Sequence, residues 1–253
     1  MNKLEGKVAI VTGGGKGIGL GMATAYVKAG AAVVITGRTR ETLEQTKSEL
    51  LKFPGANVLA LVADGADPDA VKQVVRQTRE AFGQIDILVN NAQVIHQEIP
   101  LDELTEEDFQ NAYQSGIFAT WRYMVACLPY LKQTRGTIIN FGSNAGIRGM
   151  EGFGAYGSNK EAIRGLTRIA VHEWSPFGIT VNVLNPTMWT EAARHYQKQS
   201  PDGFQKMLDA IPLGDLGDPE LHCGSLGVFL ATPEGKYMTG MTFDLDGGAS
   251  MRA

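Results

Sequence analysis

Short apolar, β-branched runs alternate with longer amphipathic stretches along the whole chain. Val8, Ala9, Ile10 and Val11 form the first run, and similar runs occupy residues 32–36, 57–63, 85–89, 136–141, 180–184 and 242–245. These runs are continuous rather than alternating, which predicts strands buried on both faces. Between them, helical spacing predicts helices over residues 18–29, 41–51, 69–82 and 155–174. Gly30 and Gly83 stop the first and third of these. A longer helical region, residues 105–131, is expected to bend near Gly116. Residues 188–216 lack strand logic and predict a helical excursion over the sheet edge.

This order predicts the α/β class: a single-domain, doubly wound parallel sheet of about seven strands with helices on both faces. No proline- or serine-rich linker divides the 253 residues, so one domain is expected over 1–253, with 188–216 as a substrate-binding excursion. The charge balance is 23 bases against 27 acids, which leaves no basic footprint for nucleic acid or an anionic membrane. No apolar run approaches the roughly 20 residues a membrane helix needs. The N-terminal residues lead directly into a strand, so no signal peptide is expected. Cys127 and Cys223 cannot build a disulfide framework, and a cytoplasmic location follows as an expectation. His172 and His222 have no partner at ligand spacing, so no metal site is expected.

The 31 glycines cluster in short groups, which predicts tight loops beside a ligand. One group, Thr12-Gly13-Gly14-Gly15-Lys16-Gly17-Ile18-Gly19, joins the first strand to the first helix. In a doubly wound sheet this turn meets the pyrophosphate of a dinucleotide. Glycines let the backbone approach, and the helix N-terminus offers free N–H groups. The strict G-x-G-x-x-G spacing is absent. At the end of the second strand, Ile35-Thr36-Gly37-Arg38 carries no acid for a ribose hydroxyl. Arg38 and Lys16 instead suit a 2′-phosphate, so the expected cofactor is NADP(H).

Tyr156 and Lys160 are one helical turn apart and share a face. A nearby ammonium favours a phenolate, so Lys160 is expected to lower the Tyr156 pKa. Such a tyrosine can exchange a proton with a carbonyl oxygen while hydride moves at the carbon. Ser143, at the end of the fifth strand, is placed to hydrogen-bond the same oxygen.

With these residues in hand, the chain resembles the short-chain dehydrogenase/reductase family, a Rossmann-type group, over essentially its whole length. Thr12 to Gly19 looks like that family's T-G-x-x-x-G-x-G loop. Asp64, followed by Gly65, matches its acid at the adenine, and Asn90-Asn91-Ala92 its N-N-A-G segment. Ser143, Tyr156 and Lys160 match its catalytic serine and Y-x-x-x-K pair, and Asp246-Gly247-Gly248 its C-terminal D-G-G. The resemblance implies that Tyr156 is the general acid/base, that Ser143 stabilises the substrate oxygen, and that Lys160 holds the nicotinamide ribose. It further implies cofactor contacts at Pro186 and at Thr190, the latter resembling a threonine that binds the carboxamide. A homo-tetramer or dimer is implied as well, packed through the two long helices and the last strand. Phe118, Trp121, Ile169 and Trp174 are more apolar residues than one helix face needs.

Two departures stand out. The glycine of N-N-A-G is Gln93, and the family's helical asparagine, which supports a water in the relay to Lys160, aligns with Gly116. Ser115 is a candidate to rearrange that relay. Substrate contacts are expected from the loops above the nicotinamide: Gln93, His96, Ser143, Met150, Phe153, Met188 and Trp189. Phe204 and Met207 are read as packing. The expected reaction is NADP(H)-dependent interconversion of a carbonyl and a secondary alcohol on an apolar, ring-bearing small molecule. The alternatives are reduction of a conjugated C=C bond and a non-catalytic NADP(H)-binding protein.

Overall fold

Five successive residues, Val8–Thr12, form strand β1, and all are buried. The computed structural model describes residues 2–94 and 98–251. The further strands are β2 (Ala32–Gly37), β3 (Asn57–Val62), β4 (Ile87–Asn90), β5 (Thr137–Phe141), β6 (Thr180–Pro186) and β7 (Thr242–Leu245). They form one sheet in the order β3-β2-β1-β4-β5-β6-β7, and every pairing is parallel. The order reverses between β1 and β4, so the C-terminal ends of those two strands flank the crevice where this topology binds ligands.

The two faces are read directly from the side-chain alternation of β1. Ala9 and Val11 point into a core shared with Met22 and Tyr26 of helix α1 (Gly17–Lys28) and Leu43 of α2 (Arg40–Leu50). Ile10 points into the opposite core with Val71 and Val75 of α3 (Pro68–Phe82). Burying one such side chain contributes about 1.5–3 kcal/mol. Asp67 caps α3 by accepting from the amides of Asp69 and Ala70, and Gly83 ends it in the left-handed conformation.

The long helical region divides as expected near Gly116. Helix α4 (Glu106–Tyr113) opens on a capping box between Thr105 and Asp108, a π-turn spans Gln114–Phe118, and α5 (Ala119–Thr134) follows. Helix α6 (Asn144–Arg148) is a short turn after β5, and α7 (Gly154–Trp174) carries the Tyr156 and Lys160 pair. The excursion is helical, with α8 (Glu191–Gln199) and α9 (Pro201–Asp209) packed on Phe204, Ile211 and Leu216. Helix α10 (Ser225–Ala231) falls where no element was predicted. Its Val228 and Leu230 are buried in the core with α1. Among the described residues, no helix is long and apolar enough to cross a membrane.

Candidate active site

The ends of β1, β2 and β4 open on a cleft lined by Gly13, Gly15, Lys16, Arg38, Asp64 and Gly65, with Ala92 and Gln93 on its far side. The Thr12 hydroxyl ties its walls together. It donates to the Val89 carbonyl (3.2 Å) and accepts from the amides of Asn91 and Ala92 (3.0 Å each). Asn91, expected at the cofactor, turns its amide back onto the carbonyls of Thr12 (3.0 Å) and Gly13 (3.3 Å). Gly19 has no room for a side chain: a Cβ there would stand 2.2 Å from the Gly13 oxygen. Gly17 and Ile18 begin α1, whose cap residue Lys16 makes no side-chain capping bond. A tight loop of backbone donors at an uncapped helix start fits a dinucleotide pyrophosphate. Lys16 and Arg38 are both exposed, and both line the cleft. Asp64 accepts from the Ala66 amide (2.9 Å) and lines the same cleft.

Ser143, Tyr156 and Lys160 gather at the end of β5. Ser143 caps α6, accepting from the Ala145 amide at 3.1 Å. The Lys160 ammonium is 4% exposed and donates to the Phe141 carbonyl at 3.0 Å. It lies 5.6 Å from the centre of the Tyr156 ring. The expected lowering of the Tyr156 phenol is overturned: burial raises it, and the Ser143 hydroxyl only partly opposes that rise. Lys160 itself is pulled down to about 7, because its charge is desolvated without a facing anion. Beneath it, the Asn90 amide donates to Asn140 (2.8 Å) and that of Asn140 to Thr167 (2.9 Å), a buried polar chain joining β4, β5 and α7.

The two departures from the family pattern meet on a residue that sequence reasoning missed. Gln93 accepts from the buried Asn159 amide at 3.0 Å and donates to the Ala112 carbonyl at 3.2 Å. The Asn159 oxygen accepts from the Ile117 amide at 2.8 Å. Nothing in the sequence marked Asn159, which precedes Lys160 without belonging to any motif. Ser115, expected in a relay, instead donates to the Asn111 carbonyl (2.7 Å) and accepts from the Val94 amide (3.3 Å).

The expected substrate residues divide. Met150 is exposed, and the Phe153 ring packs 6.1 Å from that of Tyr156. Trp189 is half-buried, donates to Asp215 (3.0 Å) and stacks 5.4 Å from Phe204. Met188, by contrast, is buried, and the end of its side chain lies against Gly217. His96 lies outside the described residues. Pro186 ends β6, and Thr190 caps α8 by accepting from the Ala193 amide (3.2 Å) while facing Gly17 of the cofactor loop. Phe118, Trp121 and Ile169 are exposed, but Trp174 packs against the second core, which removes it from that apolar face. Among the described residues no cluster of His, Cys, Asp or Glu could hold a metal ion.

Residues 7–201 match the model of the short chain dehydrogenase family. The chain is 43% identical over 258 residues to a 12α-hydroxysteroid dehydrogenase of Clostridium sp., covering all of both chains. It is 34% identical to a 3-oxoacyl-(acyl-carrier-protein) reductase of Vibrio cholerae, over 98% of this chain and 99% of that one. A solved structure from Sinorhizobium meliloti 1021, assigned to the short-chain alcohol dehydrogenases, superposes with a TM-score of 0.91 at 31% identity over 98% of each chain.

Proposed function

From the premise that the chain belongs to the short-chain dehydrogenase/reductase family of nicotinamide-dependent oxidoreductases, we propose an NADP(H)-dependent enzyme that interconverts a secondary alcohol and a carbonyl on an apolar, ring-bearing small molecule. The convergence of Ser143, Tyr156 and Lys160 at one strand end beside the glycine-loop cleft carries this reading. When bound, the nicotinamide supplies or accepts the hydride. In the reductive direction Tyr156 gives its phenolic proton to the carbonyl oxygen, and Ser143 donates a hydrogen bond to that oxygen as charge builds on it. Burial keeps Tyr156 protonated and ready to donate. Lys160, one helical turn from Tyr156 on α7, would hold the nicotinamide ribose.

The preference for the phosphorylated cofactor rests on exposed Lys16 and Arg38 both lining the cleft and on the lack of an acid at the end of β2. Residues 188–216, within one domain of 253 residues, form the substrate wall, with Trp189 as its aromatic anchor. Phe118, Trp121 and Ile169 supply an exposed apolar face for a homo-tetramer or dimer. A cytoplasmic location completes the reading. The Clostridium relative's name points to hydroxysteroids as the first compounds to try.

The test follows nicotinamide absorbance with NADPH and NADH against ketosteroids, simpler ketones, aldehydes and enones, for wild type and Tyr156→Phe. Consumption with ketones, lost in the variant and weak with NADH, is the expected result. Consumption with enones alone would replace the reading by C=C reduction. Tight NADPH binding without any turnover would leave a binding protein.

A further inference from the structure

Asn159 is fully buried, and its amide is the meeting point of three elements. It donates to Gln93 of the β4 loop (3.0 Å) and accepts from Ile117 of the π-turn (2.8 Å), while its own backbone belongs to α7 next to Lys160. Gln93 extends the chain to the Ala112 carbonyl of α4 (3.2 Å). The amide also fills the space beside Gly116: a Cβ there would stand 2.1 Å from Nδ2 and 2.5 Å from Oδ1. A π-turn loosens the regular ladder of its helix. Here the Ile117 amide donates across to the Asn159 oxygen of α7.

We propose that Asn159, working through Gln93, is the positioning residue of this active site, clamping the β4 loop and the π-turn to the helix that carries Lys160. Gly116 is required because the clamp occupies the volume of any side chain at that position. The clamp is a unit: removing Gln93 takes the acceptor from the buried Asn159 Nδ2, and removing Asn159 takes the acceptor from the Ile117 amide and the donor from the Gln93 oxygen, which is costlier than never having had the bonds. Gln93 lines the cofactor cleft, so the clamp joins the floor of that cleft to the proton-handling helix.

The decisive experiment is a double-mutant cycle of Gly116→Asn and Asn159→Ala, read first by melting temperature and NADPH fluorescence titration. These readouts require no turnover, so failure of the proposed reaction and failure of the clamp are distinguishable. Gly116→Asn alone is expected to lower the melting temperature by about 5 °C or more, since overpacking a buried site is destabilising. In the Asn159→Ala background the same substitution is expected to cost much less, because the amide no longer stands in its way. Equal damage in both backgrounds overturns the proposal.

The second readout rests on the proposed reaction and uses whichever ketone the wild type reduces. Asn159→Ala is expected to lower kcat by about tenfold with little change in KM for the ketone, the loss set by unpaired buried amides. Gln93→Gly, which keeps Asn159, guards against a folding failure and should lower kcat several-fold. Added to Asn159→Ala, it should do no further harm. An unchanged kcat in a folded Asn159→Ala, or additive losses in the double variant, would reject the clamp.

Discussion

On the β1–β2 side of the sheet the cleft is made of backbone and of side chains that end in solvent: Gly13, Gly15, Lys16 and Arg38. On the β4–β5 side it is backed by buried polar side chains, Asn90, Asn140, Asn159 and Lys160. The residues of the first side lie within two short stretches of sequence. Those of the second find partners far along the chain, with 50 residues between Asn90 and Asn140 and 66 between Gln93 and Asn159. Substitutions on the first side should act nearly independently. Those on the second should couple, because buried polar networks share partners.

The largest effect should fall on the buried side. Tyr156→Phe is expected to lower kcat by about 10²- to 10⁴-fold, the usual worth of a positioned proton donor. NADPH affinity, measured by fluorescence, should stay near wild type. If affinity collapses with activity, the two sides are not separable. Next comes the exposed side: Lys16→Ala with Arg38→Ala should cut kcat/KM for NADPH by about 10²-fold, at roughly 1.5 kcal/mol, the low end for a charge-assisted contact, for each exposed side chain. NADH kinetics should barely move, and the two single losses should add. An equal loss with NADH would mean that these side chains support the fold rather than a phosphate.

A smaller effect is thermal and depends on pH. Lys160 titrates near 7 in the folded chain and near 10.4 once unfolded. Between those values the unfolded chain binds the additional proton, so stability should rise with pH from about 7 upward and be flat below. Lys236, lowered to about 8 by burial, adds a contribution of the same sign. Melting curves of the cofactor-free protein should therefore shift up by several degrees between about pH 7 and pH 9. Lys160→Met should flatten the lower part of that rise; an unaltered profile would show that Lys160 is hydrated. The smallest change is Trp189→Phe, which removes the bond to Asp215. It should raise KM for the substrate a few-fold, about 0.5–1.5 kcal/mol, with kcat unchanged.

The same contrast governs what could be read without coordinates. The strands were legible because a parallel sheet buried on both faces demands continuous apolar runs, and residues 8–11 or 136–141 could serve little else. The glycine loop was legible because its position after the first strand leaves one role open to it. The bend near Gly116 was legible, but not its form, since a π-turn is a matter of which carbonyl each amide reaches. No element was predicted over residues 225–231, where Val228 and Leu230 of α10 pack into the core with α1. The titration of Tyr156 was inferred from spacing to Lys160, whereas burial, which spacing does not contain, set its direction.

Hydrophobic periodicity and local glycine chemistry are properties of neighbouring residues, so the chain by itself determined the order of elements, the parallel sheet and the cofactor loop. Which buried polar groups satisfy one another is decided only when distant segments pack. Asn159 has no significance beside Lys160 in the sequence. It gains one when folding brings Gln93 and Gly116 against it, because a buried amide must find partners and fills the space that a side chain at 116 would need.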